Sequence, residues 1–166
     1  MSDAVGEARA FFKNLPDEIF DTWMVERVKT AGWPPKGSRW DALLGGYPAE
    51  DWASLTWAKE QIDLSNLRFS KDALRIVRGL TDAKFRGIHN AYSNVENSDQ
   101  RMHSIHSHIK ATRLLPGSVI LVQRPEFTWE LIDGCHRVAM YCAWLGHPDW
   151  SERIERTQST WVGRAA

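Results

Sequence analysis

Apolar positions along the chain change period several times, and each change marks an element. Residues 5–15 carry Phe11, Phe12 and Leu15 on one side, the spacing of a short amphipathic helix. Pro16-Asp17 then opens a second helix to about Lys29, with Ile19, Phe20, Trp23, Met24 and Val28 on one face. Gly32 and the Pro34-Pro35 pair end it, and residues 32–50 read as an ordered loop with a helical turn from Trp40 to Leu44. Asp51–Lys59 reads as one more short helix and Gln61–Leu64 as a first strand. Ser70 is placed to cap a helix from Lys71 to about Leu80. Thr81–Ser98 is polar and reads as a loop or flap. Asp99 is placed to cap a further helix carrying Met102, Ile105 and Ile109. Ser118–Gln123 is β-branched, Arg124-Pro125-Glu126 turns the chain, and Phe127–Ile132 returns with alternating polarity, the pattern of a hairpin. After Gly134, Val138, Ala139, Cys142 and Leu145 restore the helical period from His136 to Leu145, with Gly146 and Pro148 as punctuation. Ser159–Val162 reads as an added edge strand.

This mixture predicts an α+β fold: a small mixed β-sheet with packed helices. The 166 residues suit one domain. Within it the pattern separates a Trp-rich helical extension over 1–58, a core over 61–146 and a polar tail over 147–166. Nine tryptophans, five of them within residues 1–58, predict core packing between short helices, because each brings a large apolar area to a small interior.

Charge and cysteine usage narrow the function classes. Lys plus Arg equals Asp plus Glu, 21 against 21, so nothing pulls the whole chain toward nucleic acid, and any such contact rests on a local basic patch. Cys135 and Cys142, the only cysteines, predict a reducing, cytoplasmic setting rather than a disulfide framework. No apolar run is long enough to cross a membrane. Met1–Ala10 is small and acidic without a secretory apolar region.

The candidate chemistry concentrates at Asp133-Gly134-Cys135-His136-Arg137, between a strand and a helix. Backbone N–H groups and the positive end of a helix dipole meet there and favour an anion. Arg137 adds a planar fork suited to phosphate oxygens. Cys135, at a helix start beside His136 and Arg137, is expected to have a lowered pKa. Asp133 reads either as a holder of Mg²⁺ or acceptor of a proton, or as a turn-forming cap. Cys142 falls on the apolar face of the helix and is expected to be buried. His103, His106 and His108 read as solvated or phosphate-facing imidazoles rather than a zinc set, and Arg101, Lys110 and Arg113 as a basic strip.

Gly134-Cys135-His136-Arg137 resembles the loop of the ParB/sulfiredoxin superfamily, which reads Gly-Cys-His-Arg in sulfiredoxins. The ParB-like free serine kinases carry Asp-Gly-His-His-Arg, matched by Asp133, Gly134, His136 and Arg137. The order of elements over about residues 61–146 is similar as well, and His106–Lys110 before Leu114-Leu115-Pro116 resembles the helix leading into the family's central hairpin. The resemblance implies a ParB/sulfiredoxin-like core in which Gly134, Cys135, His136 and Arg137 bind the phosphates of ATP or another nucleoside triphosphate. It implies Asp133, Cys135 and His136 as catalytic residues, Asp133 as the holder of Mg²⁺, and a small-molecule acceptor under the 81–98 segment and the Trp-rich extension. The function implied is a phosphotransferase or nucleotide hydrolase. Two alternatives from the same resemblance are a DNA-associated module or nuclease and a thiol enzyme using Cys135. Leu131-Ile132-Asp133 stands where sulfiredoxins carry Phe-Gly-Gly.

Overall fold

The computed structural model describes residues 3–166, which form a mixed α+β structure. Contacts divide the chain into two units: residues through Ala58 with Val162–Ala166, and Lys59–Trp161.

The first unit is built on short helices. Helix α1 (Ala4–Phe11) is capped by Asp3, whose side chain accepts from the Gly6 N–H. Helix α2 (Asp17–Ile19) follows Pro16 and runs through a π-helical turn (Phe20–Met24) into α3 (Val25–Ala31). Gly32, at φ 84°, ends this run, because a left-handed residue without a Cβ closes a helix at little cost. Helix α4 (Ser38–Leu43) and helix α5 (Ala49–Ala53) complete it. Phe12, Leu15, Met24, Trp40 and Trp52 are buried. The Trp23 and Trp52 rings stack at 5.5 Å. Trp40 Nε1 donates to the Gly32 carbonyl at 3.0 Å and Trp52 Nε1 to that of Leu44 at 2.9 Å. All three are packing residues, and the polar edges of Trp40 and Trp52 close loops. The helix read over Asp51–Lys59 is not formed: α5 stops at Ala53, and Thr56 begins a strand.

The four-stranded mixed sheet has the order β1-β4-β2-β3, where β1 is Thr56–Asp63, β2 Val119–Gln123, β3 Trp129–Asp133 and β4 Thr157–Arg164. The expected edge strand near 159–162 is therefore an inner strand. Its buried positions include Gln158 and Thr160, whose polarity hides the strand signal. Gln158 answers that burial with two bonds: its Oε1 accepts from the Leu115 N–H at 2.9 Å, and its Nε2 donates to the Glu155 carbonyl at 2.6 Å.

Helices α6 (Lys71–Phe85), α7 (Ser98–Thr112) and α8 (Cys135–Gly146) belong to the second unit. Ser70 caps α6 as expected, its hydroxyl accepting from the Ala73 N–H at 3.2 Å. The helix runs five residues past Leu80, and the Thr81 hydroxyl bonds back to the Val77 carbonyl. The following loop is tied to α6 rather than standing off as a flap. Asn90 Nδ2 donates to the Gly79 carbonyl at 2.9 Å, and the Tyr92 ring packs where a Cβ on Gly79 would lie. Asn97, in the left-handed conformation, precedes α7, so the cap is Asn97 and not Asp99.

Candidate functional site

Strand β3 carries the candidate residues to the start of α8. β2 and β3 pair antiparallel, with Leu121 opposite Leu131 and Ile120 opposite Asp133, so Ile132 is an extra residue between paired neighbours. Such a bulge bends a strand and re-aims the residues beyond it. Here it lies one residue before Asp133. Gly134 follows at φ 108°, ψ 26°, and is the N-cap of α8. A Cβ on Gly134 would stand 2.7 Å from Val119 Cγ1 and 3.2 Å from Arg137 Nε. The turn therefore needs glycine for its backbone and for its space.

No side chain caps α8, so the first N–H groups of that helix have no side-chain acceptor at its N-cap. Arg137 does not extend from the helix. Its guanidinium folds back, with Nη2 donating to Asp133 Oδ2 at 2.9 Å and Nη1 to the Pro116 carbonyl at 3.1 Å. The Arg137 side chain is 17% exposed and that of Asp133 38%. The fork expected to face a phosphate is instead the clasp that fixes the loop, and the carboxylate is the more open partner.

His136 turns the other way. Its Nε2 shares a hydrogen bond of 3.0 Å with Ser98 Oγ, and Ser98 is fully buried at the first position of α7. Two helix N-termini thus meet at one histidine–serine contact. Helix α7 likewise has no side-chain cap. Burial lowers the His136 pKa, and Arg101 and Lys84 lower it further. Lys84 is itself held by Asp99 at 2.7 Å and by the Ser93 carbonyl at 3.3 Å. Positive potential here comes from Lys84, Arg101 and two helix dipoles. Lys84 and Ser98 escaped the sequence reading, because both lie at the margins of a stretch whose polarity reads as loop.

The expected Cys135 thiolate is corrected. Burial first and the Asp133 carboxylate second push the thiol up to about 11, outweighing Arg137. Cys142, expected on the buried face, is exposed. His103 and His108 are exposed, while His106 packs against both the Trp144 and Trp150 rings, with centroids at 5.2 and 5.1 Å. Of the basic strip, Arg113 pairs with Glu155 at 3.0 Å. Among the described residues no three His, Cys, Asp or Glu side chains group as a metal site. No helix is long and apolar enough to cross a membrane. No protein-family model, curated protein or solved structure matches the chain.

Proposed function

We propose that this protein binds a nucleoside triphosphate at Gly134–Arg137 and transfers or hydrolyses its terminal phosphoryl group, within a ParB/sulfiredoxin-like core. The observation carrying this reading is the meeting of the α7 and α8 N-termini at Ser98 and His136, 3.0 Å apart, with Lys84 and Arg101 beside them. Paired helix starts without side-chain caps suit several phosphate oxygens.

The N–H groups of Cys135, His136 and Arg137 face the anion, and Arg137 positions them through Asp133 and Pro116. His136, its pKa lowered, is neutral near neutral pH and suited to take a proton from an acceptor hydroxyl or water. Asp133 is the one carboxylate of the loop, and its Arg137 partner leaves it open to solvent. Mg²⁺ commonly binds through one or two carboxylates plus phosphates and water, so Asp133 fits as its protein ligand, and the ion would neutralise charge on the phosphates. Cys135, protonated and mostly buried, serves as a spacer, which favours direct transfer to an acceptor over a thiol pathway.

The test is nucleotide turnover, with water as acceptor, by Asp133→Asn and Cys135→Ser beside the wild type. Cys135→Ser is expected to retain most activity. Asp133→Asn is expected to lose roughly a hundred- to ten-thousand-fold, the scale of an acid–base or metal-holding group. An active Asp133→Asn with an inactive Cys135→Ser would leave the thiol enzyme instead. A panel of ATP, ADP, CTP and GTP with Mg²⁺ in thermal shift identifies the base, since a ligand of the folded state raises its melting temperature.

A further inference from the structure

A second surface lies along α6 and the β2–β3 turn. Two adjoining hollows, of about 550 and 500 Å³, share Lys71 and Leu74. One reaches Tyr92, the other Arg124 and Thr128 at the hairpin. Lys71, Arg75 and Arg78 recur at i, i+4 and i+7, which puts them on one helix face, all three exposed. Arg68 precedes them in the stretch bridged to β3 at Phe69 and Trp129.

Charge on this surface is not balanced. The three carboxylates that line the hollows each have an arginine, Glu130 with Arg124 at 2.6 Å, Asp82 with Arg86 at 3.3 Å and Asp72 with Arg75 at 3.4 Å, while Glu126, exposed in the turn beside Phe127, stands as one acidic group against the cations. Arg68, Lys71 and Arg78 remain without a carboxylate partner among the described residues. The 1.5 Å rise per helical residue spreads Lys71 and Arg78 over about 10 Å, a line of charge rather than a point. Glu130, 7% exposed, is the built part of the surface. It accepts from Ser70 at 2.7 Å and from Arg124 Nε at 2.6 Å, fixing the hairpin base to the α6 start.

Aromatic rings accompany that line. Phe127 is 76% exposed at the hairpin tip, with φ 57°, between the lining residues Arg124 and Thr128. A bulky residue at positive φ is uncommon, and this one presents its ring to water. Phe69 and Tyr92 line the two hollows. A row of cations with one open ring, Phe127, and two half-buried ones, Phe69 and Tyr92, has the chemistry of a single-stranded nucleic acid groove, where cations follow phosphates and rings stack on unpaired bases.

We propose that the groove from Phe127 along α6 to Tyr92 binds single-stranded nucleic acid, with Arg68, Lys71 and Arg78 on phosphates and Phe127 stacked on a base. This site is separate from the Gly134 loop and does not depend on its reading.

The experiment is fluorescence anisotropy of the full chain with a labelled oligothymidylate of about 12 nucleotides, across a salt series. Binding is expected to weaken with salt. The Arg68→Ala/Lys71→Ala/Arg78→Ala variant should lower the log–log salt slope by about 2, at roughly 0.7 per phosphate contact of a single strand. Phe127→Ala should weaken binding roughly 5- to 150-fold, the stacking range, and Arg137→Ala should leave it unchanged. No binding at low salt, a triple variant that binds as the wild type does, an unaffected Phe127→Ala, or tighter binding of a duplex of equal length would each overturn the proposal.

Discussion

Strand β3 holds an arginine–carboxylate pair at each end, and the two pairs are built in opposite senses. At the loop end Arg137 is the enclosed partner, 17% exposed against 38% for Asp133. At the hairpin end the carboxylate is enclosed, the Glu130 side chain 10% exposed against 34% for that of Arg124. A buried charge needs its partner, and at the two ends of β3 a different partner stands nearer water. The loop end therefore offers a carboxylate, suited to a cation or a proton. The hairpin end offers a guanidinium, suited to an anion. Five residues of strand thus carry the same ion pair twice with two different outward chemistries.

The largest expected effect comes from breaking the loop end alone. Gly134→Val adds backbone strain of about 1–3 kcal/mol at φ 108°. The new Cβ, 2.7 Å from Val119 Cγ1, adds overpacking of about 1–3 kcal/mol. The urea midpoint should fall accordingly and nucleotide binding should be lost. A variant that matches the wild type in both would show that the turn tolerates a side chain.

Breaking the other end should cost less. Glu130→Gln keeps the shape but removes the charge that Ser70 and Arg124 share, a loss of roughly 1.5–3 kcal/mol by the range for hydrogen bonds to charged groups. Chemical denaturation measures it, and nucleotide affinity should remain near wild type. Loss of nucleotide binding in a folded Glu130→Gln protein would mean that the two ends are not independent.

A smaller effect separates the roles within the loop. Arg137→Ala removes the clasp on Asp133 and Pro116, and with it roughly 1.5–3 kcal/mol of bonding to a charged group, less what solvent restores at the 38% exposed Asp133. If Arg137 is a positioning residue, Lys at this place should recover part of the nucleotide affinity, since an ammonium still reaches a carboxylate. Equal loss in Arg137→Lys and Arg137→Ala would favour a bidentate contact with the phosphate itself.

The last effect is confined to alkaline solution. The Cys135 thiol has its ordinary value near 9 when unfolded and about 11 in the fold. A group whose folded pKa is raised contributes stability below the unfolded value and loses it as pH rises through the folded one. Stability should therefore decline between about pH 9 and 11, and Cys135→Ala should flatten that decline. Alkylation near pH 8, followed by mass spectrometry, should modify the exposed Cys142 and spare Cys135. Prompt alkylation of Cys135 would instead place a thiolate in the loop.

Helices with one apolar face were legible in the sequence, as were the β2–β3 hairpin and the Gly134 turn. Val138 and Ala139 come at helical spacing and are buried in α8. Met102, Ile105 and Ile109 do the same in α7. Strand β4 was poorly legible, because Gln158 and Thr160 hold inner positions where apolar residues usually stand. The extension of α6 through Phe85 was hidden as well: its last turn is held by tertiary partners of Lys84 and Asn90 rather than by periodicity. The sequence also placed Arg137 and Cys135 correctly on the chain but misjudged their states. The state of Arg137 depends on Pro116, distant in sequence, and that of Cys135 on burial by the fold.

The sequence by itself determined where the chain bends and which faces are apolar, since glycine backbone freedom and side-chain period are local properties. It determined that Asp133, Gly134, His136 and Arg137 are adjacent at a helix start. Only the tertiary structure decided what those groups do to one another. The bulge at Ile132 sets the course of the strand into Asp133, and the fold brings the α7 start against His136. It buries the Cys135 thiol and turns Arg137 inward. Burial and charge depend on distance through space, and distance through space is not carried by spacing along the chain.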